Sequence, residues 1–138
     1  MKKKPVIIML LTIIISTAVC KSYAQDGKLL SVKIEYENFL TESFDNVDCA
    51  SFRTAFGNTI HQVVLNRKLC LNQFKQLNEL FIKKSRNMDV RGVITFNYKK
   101  NKIAYCFDAH GYFERDGITF YNKKLIDFLN RKLHLWQK

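Results

Sequence analysis

The fold is predicted most clearly from residues 90–110, VRGVITFNYKKNKIAYCFDAH. Apolar residues alternate with other residues on both sides of the central KKNK segment, which is typical of two antiparallel strands joined by a tight turn. Lys100-Asn101 as the two-residue turn would place aromatic and aliphatic pairs on one face. These pairs are Tyr98–Ile103, Phe96–Tyr105 and Ile94–Phe107. We therefore expect this face to point into the core.

The opposite face of the predicted hairpin is the more polar one. The same register pairs Thr95 with Cys106, Val93 with Asp108 and Arg91 with His110. We expect this face to be the more exposed. Cross-strand and diagonal polar pairs there would contribute a few tenths to about 1 kcal/mol each.

Cys106, Asp108 and His110 sit at every second position, which raises the question of an active site or a metal site. Side chains two residues apart on a strand are separated by about 6.5 to 7 Å, and those four apart by about 13 Å. A nucleophile and its base need about 3 Å, so Cys106 and His110 cannot act together on a regular strand. Zinc needs three or four ligands, and His61 and His134 are isolated in the sequence. We predict no catalytic residue, no cofactor and no metal here.

The other elements follow from periodicity. Residues 30–36, the segment TIHQVVLN (59–66) and the segment GITFY (117–121) read as strands. A polar loop separates the first two, and Asp48 is expected to cap a short helical turn within it. The stretch 68–86 changes to a helical period, with apolar residues at i, i+4, i+7 and i+11: Cys70, Phe74, Leu77 and Phe81.

A second amphipathic helix is predicted at the end of the chain, with Asn122 as its N-cap. Its apolar positions are Leu125, Phe128, Leu129, Leu133 and Trp136. The resulting order is β-β-α-β-β-β-α. It predicts an α+β fold, a mostly antiparallel sheet with the two helices packed on one face.

The N-terminal residues 1–24 have the pattern of a secretory signal peptide: three lysines, an apolar run and a small-x-small triplet. Cleavage is expected between Ala24 and Gln25, which leaves residues 25–138 as a single α+β domain. The apolar run is short for an uncleaved membrane anchor, since a bilayer span needs about 20 apolar residues. Lipid attachment at Cys20 is an alternative, although Val19 departs from the small residue that such signals carry before the cysteine.

Three cysteines remain after that cleavage, which leaves one without a partner if a disulfide forms. Cys70 lies on the apolar stripe of a helix, where a thiol behaves as a small hydrophobe. A disulfide between Cys49 and Cys106 is therefore one possibility, and a buried free thiol at Cys106 is the other. The disulfide would contribute about 4 kcal/mol on the chain-entropy model.

The chain is basic. Without the four lysines of the signal segment, its 23 basic residues become 19 against 12 acidic ones, a net charge of +7. This charge favours anionic partners such as lipid headgroups, envelope polysaccharide or acidic proteins, and export makes nucleic acid an unexpected target. The candidate contacts are Lys99, Lys100, Lys102, Lys123 and Lys124. A lysine-rich turn can equally serve to keep a hairpin edge unpaired.

The segment from Met88 to Leu133, MDVRGVITFNYKKNKIAYCFDAHGYFERDGITFYNKKLIDFLNRKL, resembles small exported proteins of Gram-negative gut bacteria. The resemblance lies in a strand-turn-strand after DVRG and in the later KKLIDFL. It implies export and this fold, and it implies no activity.

The hypothesis for function is an exported, non-catalytic binding module that acts in the periplasm or outside the cell on a protein or envelope component. The alternative is an envelope-associated protein held at an anionic membrane or polysaccharide surface by its charge, or by lipid at Cys20, without being integral to the membrane. An enzyme would require distant residues to converge in a pocket, for example His61 with Asp108 or Glu35.

Overall fold

A computed structural model describes residues 27–43, 45–77, 81–83 and 86–136 of the chain. The expected signal segment, its cleavage point between Ala24 and Gln25, and Cys20 lie outside these residues. The strands are β1 (Leu29–Tyr36), β2 (His61–Leu65), β3 (Phe81–Lys83), β4 (Val90–Tyr98), β5 (Lys102–Asp108), β6 (Tyr112–Arg115) and β7 (Ile118–Tyr121). The helices are α1 (Phe52–Phe56), α2 (Lys68–Leu77) and α3 (Lys123–Leu133).

The strands form one sheet in the order β2-β1-β4-β5-β6-β7-β3, and every neighbouring pair is antiparallel. The predicted α+β class is confirmed, and the predicted elements occur in the predicted order. Two short strands, β3 and β6, are additional. The helical period does not continue to Phe81 as expected, because α2 ends at Leu77 and Phe81 lies in β3 opposite Tyr121.

The central hairpin turns at Lys99-Lys100 rather than at Lys100-Asn101. Phe96 is opposite Ile103, and Ile94 is opposite Tyr105, so the register differs by two residues from the predicted one. A shift of two residues keeps every side chain on its face, because side chains alternate along a strand. The predicted inward face is therefore confirmed although its individual pairs are not.

Helices α2 and α3 both pack on this first face of the sheet, as predicted. Phe74 of α2 is fully buried, and its ring lies 6.1 Å from Phe96 of the sheet and 5.1 Å from Phe128 of α3, both in edge-on geometry. Asn122 caps α3 as predicted, because its side-chain oxygen accepts a hydrogen bond from Leu125 N–H at 2.9 Å. Edge-to-face aromatic pairs of this kind add to the stability that apolar burial provides.

The second face of the sheet is not exposed as we expected. Val93 and Cys106 are each only 8% exposed, and together with Val47, Phe52, Phe56, Met88 and Val90 they form a second apolar cluster. The cover is provided by α1 and by Val47 and Cys49 of the segment 37–51 that precedes it, which we call the strap. Alternation along the hairpin places residues on a face, but it does not reveal which distant segment folds over that face.

A bulge in β4 changes the pairing at the far end of the hairpin. The register shifts between Val90 and Gly92, so Asp108 is opposite Val90. The two-residue difference in register already places Val93 opposite Cys106 and Thr95 opposite Ala104, so the expected pairs of Thr95 with Cys106, Val93 with Asp108 and Arg91 with His110 do not form. Gly92 is required at this point, because a Cβ atom there would lie 2.7 Å from the Glu35 carbonyl oxygen and would overlap the Phe107 ring. Within the described ranges, none of the helices has the length and apolar character needed to cross a membrane.

Candidate anion-binding site

The residues first considered for chemistry have separate structural roles. Asp108 is 1% exposed, and its Oδ1 accepts hydrogen bonds from His110 N–H at 2.8 Å and Tyr112 N–H at 2.9 Å, which closes the turn between β5 and β6. The His110 side chain is exposed, and Cys106 is bonded to another cysteine. The expected polar pairs of Arg91 with Asp108 or His110 are therefore wrong, because the carboxylate binds backbone instead.

The more distant candidates also lie apart. The ring of His61 in β2 stacks on that of Tyr36, with 5.4 Å between the ring centroids. Glu35 precedes Tyr36 in β1, so the Glu35 side chain points to the other face of the sheet. Two strands separate β2 from β5, so His61 and Asp108 are about 14 Å apart at a strand spacing of about 4.8 Å. Among the residues that the structure describes, no three His, Cys, Asp or Glu side chains form a metal-binding group.

A disulfide joins Cys49 of the strap to Cys106 of β5, as predicted, with a Cα–Cα distance of 5.7 Å. The two cysteines are 57 residues apart in the sequence. The bond ties the strap to the middle of the sheet and brings Cys49 into the second apolar cluster. Cys70, half-buried on α2, is a free thiol.

A buried arginine holds the start of the strap. The guanidinium of Arg91 donates to the Thr41 carbonyl oxygen at 2.7 Å and to Ser43 Oγ at 3.2 Å, and it forms an ion pair with Asp89. Arg91 is only 7% exposed, so these bonds replace water around its charge. The arginine is the extra residue of the β4 bulge, which is how its side chain reaches the strap.

The acidic residues near the strap are also satisfied internally. The carboxylate of Glu37 accepts hydrogen bonds from Asn38 N–H, Thr41 Oγ1 and Thr59 Oγ1. Asp48 accepts hydrogen bonds from Ser51 N–H at 2.7 Å and from Ser51 Oγ at 2.6 Å, which close the turn before α1. The N-cap position of α1 is Ser51, which makes no side-chain capping bond, so Asp48 holds this turn instead of capping the helix itself. These hydrogen bonds with Ser51 lower the pKa of Asp48.

Glu35 lies beside the strap on the second face and is paired with two cations. Its carboxylate bonds Arg53 Nη2 at 2.8 Å and lies 3.3 Å from Lys33 Nζ. The hydrogen bond from Arg53, supported by Lys33, holds the pKa of Glu35 below its ordinary value although burial acts in the opposite direction.

The opposite end of the sheet carries a concentration of exposed positive charge. Lys28 and Lys99 are adjacent there, since the Lys28 carbonyl oxygen accepts a hydrogen bond from Lys99 N–H at 3.1 Å. Seven exposed basic residues from the start of β1, the start and middle of α2 and the β4–β5 turn meet at this end. This basic end consists of Lys28, Arg67, Lys68, Lys75, Lys99, Lys100 and Lys102. None of the seven forms an ion pair with a carboxylate in the described part of the chain.

A cleft of about 410 Å³ opens at the basic end between β1 and α2. Three lysines line it, Lys28, Lys68 and Lys75, together with the amides Asn66 and Asn72. Its remaining lining residues are leucines, and no described acidic residue is among them. Ammonium and amide donors over an apolar floor are suited to a carboxylate, phosphate or sulfate group that carries some apolar surface.

The two lysine groups predicted from the sequence are not neighbours. Lys123 lies beside Gly111, with its Cα 3.5 Å from the position that a Gly111 Cβ would take, and Gly111 follows the end of β5. Lys102 stands at the start of β5, so the two groups are at opposite ends of a strand about 20 Å long. Lys123 also pairs with Asp127 at 2.6 Å.

Four members of the basic end did not stand out in the sequence: Lys28, Arg67, Lys68 and Lys75. They belong to segments far from residues 99–102 along the chain, and only the pairing of β1 with β4 and the packing of α2 bring them there. The spacing of Lys68 and Lys75 by seven residues places them on one side of a helix, which was the one local signal. No protein family, curated protein or solved structure matches this chain.

Proposed function

We propose that this protein is an exported, non-catalytic binding module that holds an anionic partner at its basic end. The proposal rests on seven exposed basic side chains from distant segments that meet at one end of the sheet and form no ion pair within the described residues. Three of them, Lys28, Lys68 and Lys75, line a cleft without a described carboxylate. Concentrated charge of one sign costs stability through self-repulsion, and a negatively charged partner relieves that cost.

Export is supported by two independent features. Residues 1–24 have the composition of a secretory signal, with a basic start, an apolar run and the triplet before Gln25. The disulfide between Cys49 and Cys106 fits an oxidising compartment, such as the periplasm or the exterior of the cell. Intact-mass measurement on the natively exported protein tests this: a chain beginning at Gln25 is expected, and a retained segment or a lipid at Cys20 would contradict cleavage there.

A binding role without chemistry is favoured by the arrangement of the reactive groups. His61, Glu35 and Asp108 belong to different strands or faces, and Glu35 and Asp108 are each engaged in hydrogen bonds. The basic end, in contrast, offers cations and amides, which are groups that hold an anion.

A second candidate function is attachment to an anionic envelope surface. Two leucines at the basic end favour it: Leu69 of α2 is 74% exposed and Leu30 of β1 is 48% exposed, next to the lysines of the cleft. Apolar side chains surrounded by lysines are typical of proteins that lie on a membrane surface.

The test compares two charge-reversed variants of equal net charge. Lys68→Glu with Lys75→Glu changes the cleft, and Lys124→Glu with Arg131→Glu makes the same change in charge on α3. Binding is measured to poly-L-glutamate and to vesicles of phosphatidylglycerol and phosphatidylcholine, at several salt concentrations. A lysine near an anionic surface contributes about 1 kcal/mol, so we expect the cleft variant to lose at least about 30-fold in affinity.

The control variant should lose much less, and salt should weaken binding of the native protein because exposed charges are screened. Equal losses in both variants, or binding that salt does not affect, would contradict the assignment to the basic end. Preference for the vesicles over poly-L-glutamate, together with a loss of that preference in Leu69→Ser, would support the second function.

A further inference from the structure

Strand β2 leaves one edge of the sheet open. It stands last in the strand order and pairs with β1 alone, through five consecutive positions from Val32–Leu65 to Tyr36–His61. No described strand pairs with its outer side. All five residues of β2 are partly or largely exposed, and Val64 is 53% exposed. The edge therefore presents backbone donors and acceptors to solvent.

This edge lacks the features that usually prevent strand addition. Its sequence, HQVVL, has no lysine, no acidic residue and no proline, and its register with β1 runs without a bulge. The opposite edge is different, since β3 has three residues and ends in Lys83. Natural sheets protect their edges by charge, proline, bulges or short strands, and an unprotected edge is a template for another strand.

The charges around the edge indicate which kind of strand would fit. Arg67 and Lys68 come one residue after the end of β2, beyond Asn66, and Arg53 near the other end has a side chain that is 66% exposed. The nearby carboxylates, Glu35 and Glu37, are buried and already hydrogen-bonded. A second copy of this chain paired antiparallel to β2 would bring its own Arg67 and Lys68 toward Arg53, so like charges would meet.

We propose that β2 accepts an added strand from an extended acidic segment of a partner protein, whose carboxylates reach the basic end beyond Leu65. This inference rests on the proposed function, because it names the class of partner that the basic end binds. Backbone hydrogen bonds along β2 supply affinity in this mode, and side chains at alternate positions supply specificity. The segment carries acidic residues at one end and β-branched residues where it lies beside Val63 and Val64, which suit a half-covered strand.

The probe is the synthetic peptide Ac-Glu-Asp-Glu-Thr-Val-Thr-Val-Thr-amide, and two controls have proline in place of the first valine or of the threonine that follows it. Binding is followed by fluorescence anisotropy, and amide hydrogen exchange is followed for each residue of β2. We expect the probe to bind, at least one control to bind about tenfold more weakly because a backbone bond to β2 is lost, and the outward amides of β2 to become protected. Binding that leaves exchange in β2 unchanged would overturn the inference.

Two proline variants separate strand addition from simple charge attraction. Adjacent residues of a strand direct their N–H groups to opposite sides, so one of Val63 and Val64 donates to β1 and the other points outward. Val63→Pro and Val64→Pro are both made, and thermal unfolding identifies the one that leaves the fold intact. That variant should lose at least about tenfold in peptide affinity and less than about twofold in poly-L-glutamate binding.

The two proposals fail in different ways in this design. If the folded proline variant binds the peptide as the native protein does, strand addition is wrong while the proposed function stands. If Lys68→Glu with Lys75→Glu also leaves poly-L-glutamate binding unchanged, the proposed function is wrong too.

Vesicle binding without peptide binding would assign the basic end to a membrane surface, and dimerisation that Val64→Lys abolishes would assign the edge to a second copy. Either result would overturn the acidic strand.

Discussion

The strap and the basic end differ in how their charged groups are paired. The strap, residues 37–51, carries four acidic residues and no basic one, and those nearest the sheet are hydrogen-bonded to buried or neighbouring groups. The basic end carries seven exposed cations that form no ion pair with a described carboxylate. The strap uses its polar groups to stabilise the fold, whereas the cations of the basic end are the groups that we propose to bind a partner.

The difference explains why the two ends should respond differently to mutation. Removing one member of a buried hydrogen-bonded pair lowers the free energy of unfolding substantially, because the other member is left without water or a partner. Exposed lysines contribute little to folding, so changing them should alter binding and leave stability nearly constant. Substitutions at individual interactions in the strap and at the basic end can therefore test this difference.

The largest effect is expected from the disulfide. Replacing Cys49 and Cys106 by alanine should lower the free energy of unfolding by about 4 kcal/mol, because the bond closes a loop of 57 residues in the unfolded chain. Urea denaturation measures this. Cys70→Ser is the control and should cost far less, since its thiol is only half-buried and unbonded. An unchanged midpoint under reducing conditions would show that the strap is held without the bond.

Removing the guanidinium of Arg91 should be the next largest effect. Arg91→Met keeps much of the side-chain volume but leaves the Thr41 carbonyl oxygen and Asp89 without their donor, for a loss of about 2 kcal/mol in unfolding free energy. Arg67→Met at the basic end is the matched control and should change stability by less than about 0.5 kcal/mol. Equal effects of the two substitutions would mean that the two ends do not differ in this way.

Low pH should reduce the stability of the protein through protonation of Glu35, which lies beside the strap. The depressed pKa of Glu35 means that its charged form is favoured in the folded protein, so its contribution is complete above the unfolded pKa of about 4.3 and is lost as the pH falls through the folded pKa. We therefore expect native protein to be more stable than Glu35→Gln at about pH 6, and the two to converge at about pH 2.5. Thermal unfolding at both pH values measures the difference, and a gap of constant size would argue against the ion pair with Arg53.

The smallest effect on stability is expected at the basic end. Lys68→Glu with Lys75→Glu should change the free energy of unfolding by no more than about 0.5 kcal/mol. Lys68 is the first residue of α2, where a glutamate interacts favourably with the helix dipole and offsets other losses. Urea denaturation measures the stability of this variant, and its poly-L-glutamate affinity is measured on the same preparation. A large loss of stability would show that these lysines have a structural role.

Local pattern was enough for the elements with strong periodicity. The alternation in β4 and β5 predicted the core face correctly even though the turn is at Lys99-Lys100, because a shift of two residues preserves alternation. The prediction does not include strand β6, although the dipeptide Asp116-Gly117 is typical of a hairpin turn. Both residues have the positive φ that a two-residue turn of this type requires. The helix before β3 was extended too far, since apolar spacing alone does not show where a helix ends.

Local pattern along the chain predicted the α+β class, the inward face of the hairpin, the cap at Asn122 and Cys49–Cys106 as one possible pairing. These depend on neighbours in the chain or on the small number of ways that cysteines can pair. Long-range packing places the strap over the second face, directs Arg91 to Thr41, and brings Lys28, Lys68 and Lys75 to the lysines of the β4–β5 turn. Each of these depends on where distant segments pack, and short-range periodicity carries no information about that packing.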